Sequence, residues 1–241
     1  MATPRHARVL AARHPFAESQ VLEAELLEGR LGFIGGQYVI IDSGRLLPNG
    51  KAAKRAYSIL SPDAQQERIS LAALRIPGGL GSDFLNGLQV GDTFSFSGPW
   101  GKLRPPEAPS RALVLATDTG VTAALGLVRG EGFAPTLPET DFWWLHERDL
   151  AFVEPAWVEA HLPARLGSRR LAPLPKDPDP ERVAIAVRVV RELCAHGPYS
   201  RAYLCGDGAV NRAVTDALVA AGVPAEGIAC ETFFNGVKRI V

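Results

Sequence analysis

Four segments hold the residue types that handle anions and planar rings. Arg55-Ala56-Tyr57-Ser58 alternates along a strand, so Arg55 and Tyr57 project from one face and Ser58 from the other face or the strand edge. Arginine suits bidentate phosphate binding, and tyrosine offers a flat surface for a ring plus a hydroxyl for a sugar oxygen. The same residues would equally make an ordinary surface strand. Pro77-Gly78-Gly79-Leu80-Gly81-Ser82-Asp83-Phe84-Leu85 sets three glycines ahead of a serine and a helix start. Glycines let backbone N–H groups come close to an anion, and a helix N-terminus adds a favourable dipole. The plainer reading is a Gly-rich turn with Ser82 as N-cap.

The other two segments each follow an apolar strand. Ala116-Thr117-Asp118-Thr119-Gly120-Val121-Thr122-Ala123 and Leu204-Cys205-Gly206-Asp207-Gly208-Ala209-Val210 both read as strand, tight turn, helix. At the carboxyl end of a parallel sheet that geometry edges a nucleotide crevice. Neither has the GxGxxG fingerprint, so neither is diagnostic alone. Cys205 fits a place in the crevice or a buried core thiol.

These segments need two kinds of scaffold. The first ~105 residues hold short apolar runs between turn residues: Gln37–Ile41, Arg55–Leu60, Ile69–Arg75 and Thr93–Ser97. This spacing predicts a small antiparallel barrel or sandwich. Gly98 to Pro109, rich in proline and glycine, is the natural boundary, giving domains 1–106 and 107–241. Beyond it strands and helices alternate. Strands are expected at Ala112–Ala116, Asp141–Leu145, Arg169–Leu174, Ala202–Cys205 and Ile228–Phe234. Helices are expected at Thr119–Arg129, Leu150–His161, Glu181–His196 and Ala209–Ala221, the last closed by Gly222. The alternation predicts an α/β domain with a five-stranded parallel sheet covered on both faces.

Composition excludes several function classes. Lys and Arg number 26, and Asp and Glu number 26. Zero net charge without a basic stripe argues against nucleic acid. No apolar stretch nears the ~20 residues of a membrane-spanning helix. Met1 to Ala12 carries Arg5, His6 and Arg8 without an apolar h-region, so no signal peptide is read and the cytoplasm is the expected compartment. Three widely spaced cysteines, Cys194, Cys205 and Cys230, suit a reducing compartment and match no zinc or iron–sulfur spacing. No metal site is expected, and any redox centre should be organic.

In order and spacing, the chain resembles the ferredoxin–NADP reductase family of flavoproteins. Phe33-Ile34-Gly35-Gly36-Gln37-Tyr38-Val39 resembles the family's F-x-P-G-Q-F/Y-V strand entry, and Arg55 to Ser58 its R-x-Y-S flavin motif. Pro77 to Leu85 matches P-G-G-x-x-S-x-x-L, and Gly91-Asp92 and Gly98-Pro99-Trp100-Gly101 match the G-D and G-P-x-G turns. Leu204-Cys205-Gly206 matches the C-G loop, and Glu231-Thr232-Phe233 the C-terminal E-x-F. The similarity covers nearly the whole chain.

The resemblance implies an N-terminal antiparallel β-barrel for FAD and a C-terminal domain for NADP(H) or NAD(H). Arg55 would bind flavin phosphate, Tyr57 would pack on the isoalloxazine with Ala56 beside it, and Ser58 would hydrogen-bond near its reactive nitrogen. Gly78, Gly79, Leu80, Gly81 and Ser82 would hold the pyrophosphate. Thr117, Thr119, Gly120, Cys205, Gly206, Asp207 and Glu231 would flank the nicotinamide at the domain interface. Ser58, Cys205 and Glu231 are the candidate catalytic residues. The implied activity is FAD-dependent NAD(P)H oxidation, with electrons passed to a ferredoxin, a flavodoxin or a small-molecule acceptor.

Departures from the family pattern leave alternatives. The third motif usually reads G-T-G-x-x-P, and here Asp118 replaces a glycine and Ala123 the proline. Either the Asp118 carboxylate repels a pyrophosphate, at about 1–4 kcal/mol per charge pair at ~4 Å, or it turns away and caps the next helix. The first reading makes the chain a flavin-binding electron-transfer or regulatory subunit with weakened nucleotide binding. Arg148, Arg169, Arg170 and Lys176 are candidate readers of a 2′-phosphate, while Glu147 would favour NADH. Phe233 or Phe234 could stack on the flavin or pack in the core.

Overall fold

The computed structural model describes residues 3–16, 18–147 and 152–233. Contacts divide the chain into two compact units, Met1–Pro105 with Leu125–Phe133 and Ala151–Leu162, and Pro106–Ala124 with Ala134–Leu150 and Pro163–Val241.

The first unit is a six-stranded antiparallel sheet of β1 (Arg5–Phe16), β2 (Ser19–Leu26), β3 (Tyr38–Leu46), β4 (Ala52–Ser58), β5 (Arg68–Leu74) and β6 (Thr93–Trp100). Its order is β4-β3-β6-β1-β2-β5. Just past β4, the Leu60 N–H donates to the Ser70 carbonyl on β5 at 2.8 Å, so the two edge strands approach and the sheet rolls up. Alternate residues point inward: Ala7 and Val9, Leu22 and Ala24, Val39 and Ile41, Ile69 and Leu71, Phe94 and Phe96 make one core. Helix α1 (Leu80–Asn86) adds the buried Leu85 to it.

β1 and β2 fall outside the apolar runs expected from the sequence. In β1 the inward residues are small or interrupted by Arg8, Arg13 and His14, and only Ala7 and Val9 are buried. β2 did carry a usable signal, the strict alternation Leu22-Glu23-Ala24-Glu25-Leu26.

The second unit is a parallel sheet of β7 (Ala112–Thr117), β8 (Thr140–Glu147), β9 (Ser168–Leu174), β10 (Arg201–Asp207) and β11 (Ile228–Phe233), in the order β11-β10-β7-β8-β9. All six residues of the central β7 are buried, as expected of a strand covered on both faces. Its helices are α2 (Val121–Val128), which continues into residues of the first unit, α4 (Pro180–Cys194) and α5 (Gly208–Ala220); α3 (Pro155–His161) falls in the first unit. α4 and α5 each begin with a capping aspartate: Asp179 accepts from Glu181 N–H, and Asp207 from Ala209 and Val210 N–H. At the end of α5, Gly222 takes a positive φ of 92° and lets the Val223 N–H reach back to the Leu218 carbonyl.

Two helices differ from the sequence expectation. Asp118–Gly120 forms a 3₁₀ turn before α2 instead of the first helical turn, because Asp118 sits at a φ of 47°. α3 begins with Pro155 in its first turn, and residues 152–154 before it are not helical; Leu150 and Ala151, where the expected span starts, lie outside the described residues. Among the described residues no helix is long and apolar enough to cross a membrane.

Candidate functional site

In the first unit the rolled sheet brings β4 against the start of α1. A Cβ built on Gly81 would stand 2.5 Å from Arg55 Cγ and 3.7 Å from the Tyr57 hydroxyl. The Arg55 stem therefore lies directly on the first turn of α1, in a position that the missing side chain of Gly81 leaves open. Arg55 is exposed and Tyr57 half-buried, while Ser58 is buried at the strand end. Burial pushes the Tyr57 phenol up to about 12, so it remains a neutral donor at physiological pH.

The glycine-rich turn is built from within. Ser82 Oγ accepts from the Ile76 N–H at 3.1 Å and donates to the Gly79 carbonyl at 3.0 Å, so this hydroxyl ties the loop together. Gly78 takes a φ of 73°. Gly79 caps α1 with no side-chain hydrogen bond, which leaves first-turn N–H groups uncovered by a side chain. Leu80 and Gly81 follow within that turn, with Ala56 exposed on the strand beside them. A guanidinium, a phenol and a glycine cradle in one place form a donor set that fits a phosphate-bearing cofactor with a flat ring.

In the second unit the loops after β7 and β10 interlock. A Cβ on Gly120 would collide with the Cys205 carbonyl, and one on Gly206 would collide with Thr117. Thr117 Oγ1 accepts from the Asp207 N–H at 2.7 Å, and Gly206 takes a φ of 127°. Thr117, Thr119, Gly120, Cys205, Gly206 and Asp207 are thus brought to one end of the sheet, the carboxyl end where open α/β sheets bind ligands. Glu231 pairs in register with Cys205 on the neighbouring strand. Desolvation raises the carboxyl of Glu231 above its ordinary value. Cys205 is fully buried, and burial pushes its thiol far up, so its sulfur is not a thiolate nucleophile. The Asp207 carboxylate serves as the α5 cap rather than standing free.

Asp118 follows neither of the two expected courses. Its side chain caps no helix, and both carboxylate oxygens are taken. Oδ1 accepts from the Glu147 N–H at 2.7 Å, and Oδ2 pairs with Arg182 Nη2 at 2.5 Å. Its carbonyl accepts from Trp144 Nε1 at 2.9 Å. Asp118 is 4% exposed and Arg182 1%. Asp118 takes a positive φ of 47°, and aspartate is one of the few residues that tolerate this left-handed backbone. Sequence reasoning missed Arg182, because it lies 64 residues away in a helix that reads as amphipathic.

The candidate 2′-phosphate readers separate. Arg169 and Arg170 pair with Phe142 and Trp143, well short of the carboxyl end of β8 at Glu147, and Arg170 packs over the Trp143 ring at 5.3 Å. Their place within the strand, rather than beyond it, removes them from that role. Lys176 lies just past β9. Arg148 and Phe234 lie outside the described residues; Phe233 closes β11 half-buried.

Residues 19–104 match the oxidoreductase FAD-binding domain family. Over 132 residues, 53% of this chain, the sequence is 39% identical to ferredoxin–NADP reductase B of Sorangium cellulosum. Residues 19–104 thus belong to the oxidoreductase FAD-binding domains, and the matched half of the chain is similar to a ferredoxin–NADP reductase. It is also 30% identical over 105 residues, 41% of this chain, to the reductase subunit of an Amycolatopsis aromatic O-demethylase. The chain spans 52% of the length of the first of these relatives and 30% of the second. A solved Amycolatopsis cytochrome P450 reductase superposes with a TM-score of 0.72 at 23% identity, covering 96% of this chain and 70% of that one. The ferredoxin reductase of a carbazole dioxygenase gives 0.74 at 20% identity, covering 96% and 68%. These two solved structures share the fold of this chain.

Proposed function

We propose that this chain is an FAD-dependent oxidoreductase that takes a hydride from NADPH or NADH and passes electrons to a separate one-electron carrier. The observation that carries the reading is the seat of Arg55 on Gly81 beside Tyr57, a cradle with the donors a flavin nucleotide needs. Residues 1–106 are assigned to FAD and residues 107–241 to the nicotinamide nucleotide. When bound, FAD supplies what no side chain here can: it accepts two electrons and a proton as hydride and releases the electrons one at a time.

The protein's own residues bind and orient. Arg55 holds phosphate charge, with the Gly78–Ser82 turn packed against its stem at Gly81. Tyr57 supplies a flat apolar face and, kept neutral by burial, a hydrogen bond. Ser58 is positioned to hydrogen-bond the ring edge from the buried end of β4. On the second unit, the close-packed turns at Gly120 and Gly206 present Thr119 and Glu231 to the nicotinamide. Cys205, fully buried, supports these turns by packing, and Glu231 acts by its desolvated carboxyl.

The alternative, a flavin-binding subunit with a weakened nucleotide site, depended on a free Asp118 carboxylate. Arg182 neutralises that carboxylate, which favours the enzyme. No cysteine spacing in this sequence matches an iron–sulfur cluster, and the acceptor proposed is a ferredoxin, a flavodoxin or a small molecule. Cys194, Cys205 and Cys230 are free thiols, in keeping with a cytoplasmic location. Two measurements test the function together: identification of the chromophore released from purified protein, and steady-state NADPH and NADH oxidation with ferricyanide as acceptor. FAD and nucleotide-dependent turnover are expected; a colourless protein that cannot be loaded with FAD would refute the assignment.

A further inference from the structure

Arg182 occupies a place that stability alone does not explain. It projects from the first turn of α4 and is 1% exposed. Its guanidinium reaches three loops at the carboxyl end of the parallel sheet. Nη2 meets Asp118 after β7 at 2.5 Å, Nη1 donates to the Pro175 carbonyl after β9 at 2.5 Å, and Nε lies 3.6 Å from Asp207 Oδ2 after β10. Through Asp118 Oδ1 the same cluster holds the Glu147 N–H at the end of β8. Four adjacent strands therefore end on one buried cation and the carboxylate it pairs with.

Burying such a pair is a poor way to gain stability, since well-packed apolar residues of similar volume often do as well or better. Arg182 Nε also has no hydrogen-bond partner within bonding distance. What a rigid planar fork does provide is fixed relative placement of the groups it binds. The groups placed here are the turns that carry Thr117, Thr119, Gly120, Gly206 and Asp207.

The geometry points to Arg182, acting through Asp118 and Asp207, as the positioning residue of the nicotinamide-nucleotide site. It sets the spacing of the loops after β7, β8, β9 and β10 without touching the nucleotide. This inference rests on the proposed function and adds to it a residue that no motif of the chain contains. The Asp118–Arg182 pair is then a substitute for the family's glycine rather than a defect.

The test compares the FAD-loaded wild type with the double variant D118N/R182M, which removes the connection together with both charges of the Asp118–Arg182 pair, and with R182K, which keeps the charge but loses the fork. Anaerobic flavin reduction is followed against nucleotide concentration, giving a half-saturation constant and a limiting rate for each protein. In the double variant the half-saturation constant should rise by about tenfold or more, and the limiting rate should change much less, since misplaced loops weaken capture of the ligand. R182K should fall between. FAD content should be unchanged in all three. A purely structural role would lower thermal stability and leave both kinetic constants of the folded protein as they were. Should the double variant fail to fold, R182K alone carries the comparison. Wild-type values of half-saturation in whichever variants fold overturn this inference alone. A wild type that neither nucleotide reduces overturns the proposed function and this inference with it.

Discussion

Arg55 and Gly81 lie so close that a methyl group on the glycine would stand 2.5 Å from Arg55 Cγ. The arginine stem is exposed and can swing aside, so Gly81→Ala should leave the fold intact while moving the guanidinium off the α1 turn. FAD affinity is expected to fall by about tenfold, equivalent to ~1.4 kcal/mol. Fluorescence titration of the apoprotein with FAD measures it, and unchanged affinity would show that Arg55 does not hold the cofactor from this position.

Arg55→Ala tests the same seat more severely. A hydrogen bond to a charged group contributes about 1.5–3 kcal/mol, so FAD binding should weaken by roughly 10- to 100-fold. Arg55→Lys should recover only part of this, because an ammonium cannot present the planar fork. Thermal unfolding without FAD should be nearly the same in all three proteins.

Cys205 and Cys230 should part company towards thiol reagents. Cys205 is fully buried with its thiol pushed far up, whereas Cys230 is exposed. Alkylation of the native protein at pH 8 followed by peptide mass spectrometry should label Cys230 and spare Cys205. Rapid labelling of Cys205 would contradict the close packing of the turns after β7 and β10.

Glu231 makes a prediction about pH. Desolvation raises its carboxyl in the folded state above the ordinary 4.5. The folded protein thus holds this proton more tightly than the unfolded chain. The contribution to stability is full below the unfolded value and is lost as pH rises through the folded one. Glu231→Gln should therefore raise the melting temperature near pH 7, and the gain should shrink as pH falls towards 4.5. A gain that is independent of pH would show that the carboxyl is not desolvated.

Gly120→Ala places a methyl on the Cys205 backbone, and no side-chain rotation can relieve it. Overpacking of this kind costs about 1–3 kcal/mol. The variant should lose thermal stability in the second unit while retaining FAD. Differential scanning calorimetry with parallel flavin quantitation separates these effects.

Much of this was legible in the chain because it is local. The Arg55–Ser58 strand, the Pro77–Leu85 turn and the Gly120 and Gly206 loops announce themselves by residue types at short spacing. β7 and α5 do so by runs and periodicity. What the sequence hid is non-local or dilute. β1 buries only Ala7 and Val9 among basic residues, so its alternation is faint. The fate of the Asp118 carboxylate depends on Arg182, which only folding brings within hydrogen-bonding reach. The register that sets Arg170 over Trp143 is likewise a property of the assembled sheet.

The central claim is hydride transfer from a nicotinamide nucleotide to bound FAD, and an anaerobic titration tests it most directly. Purified yellow protein is titrated with NADPH and, separately, with NADH while flavin absorbance is followed. Stoichiometric bleaching by at least one nucleotide is expected, with return of colour when a one-electron acceptor is added. A flavin that stays oxidised in excess of both nucleotides, yet is bleached by dithionite, would contradict it.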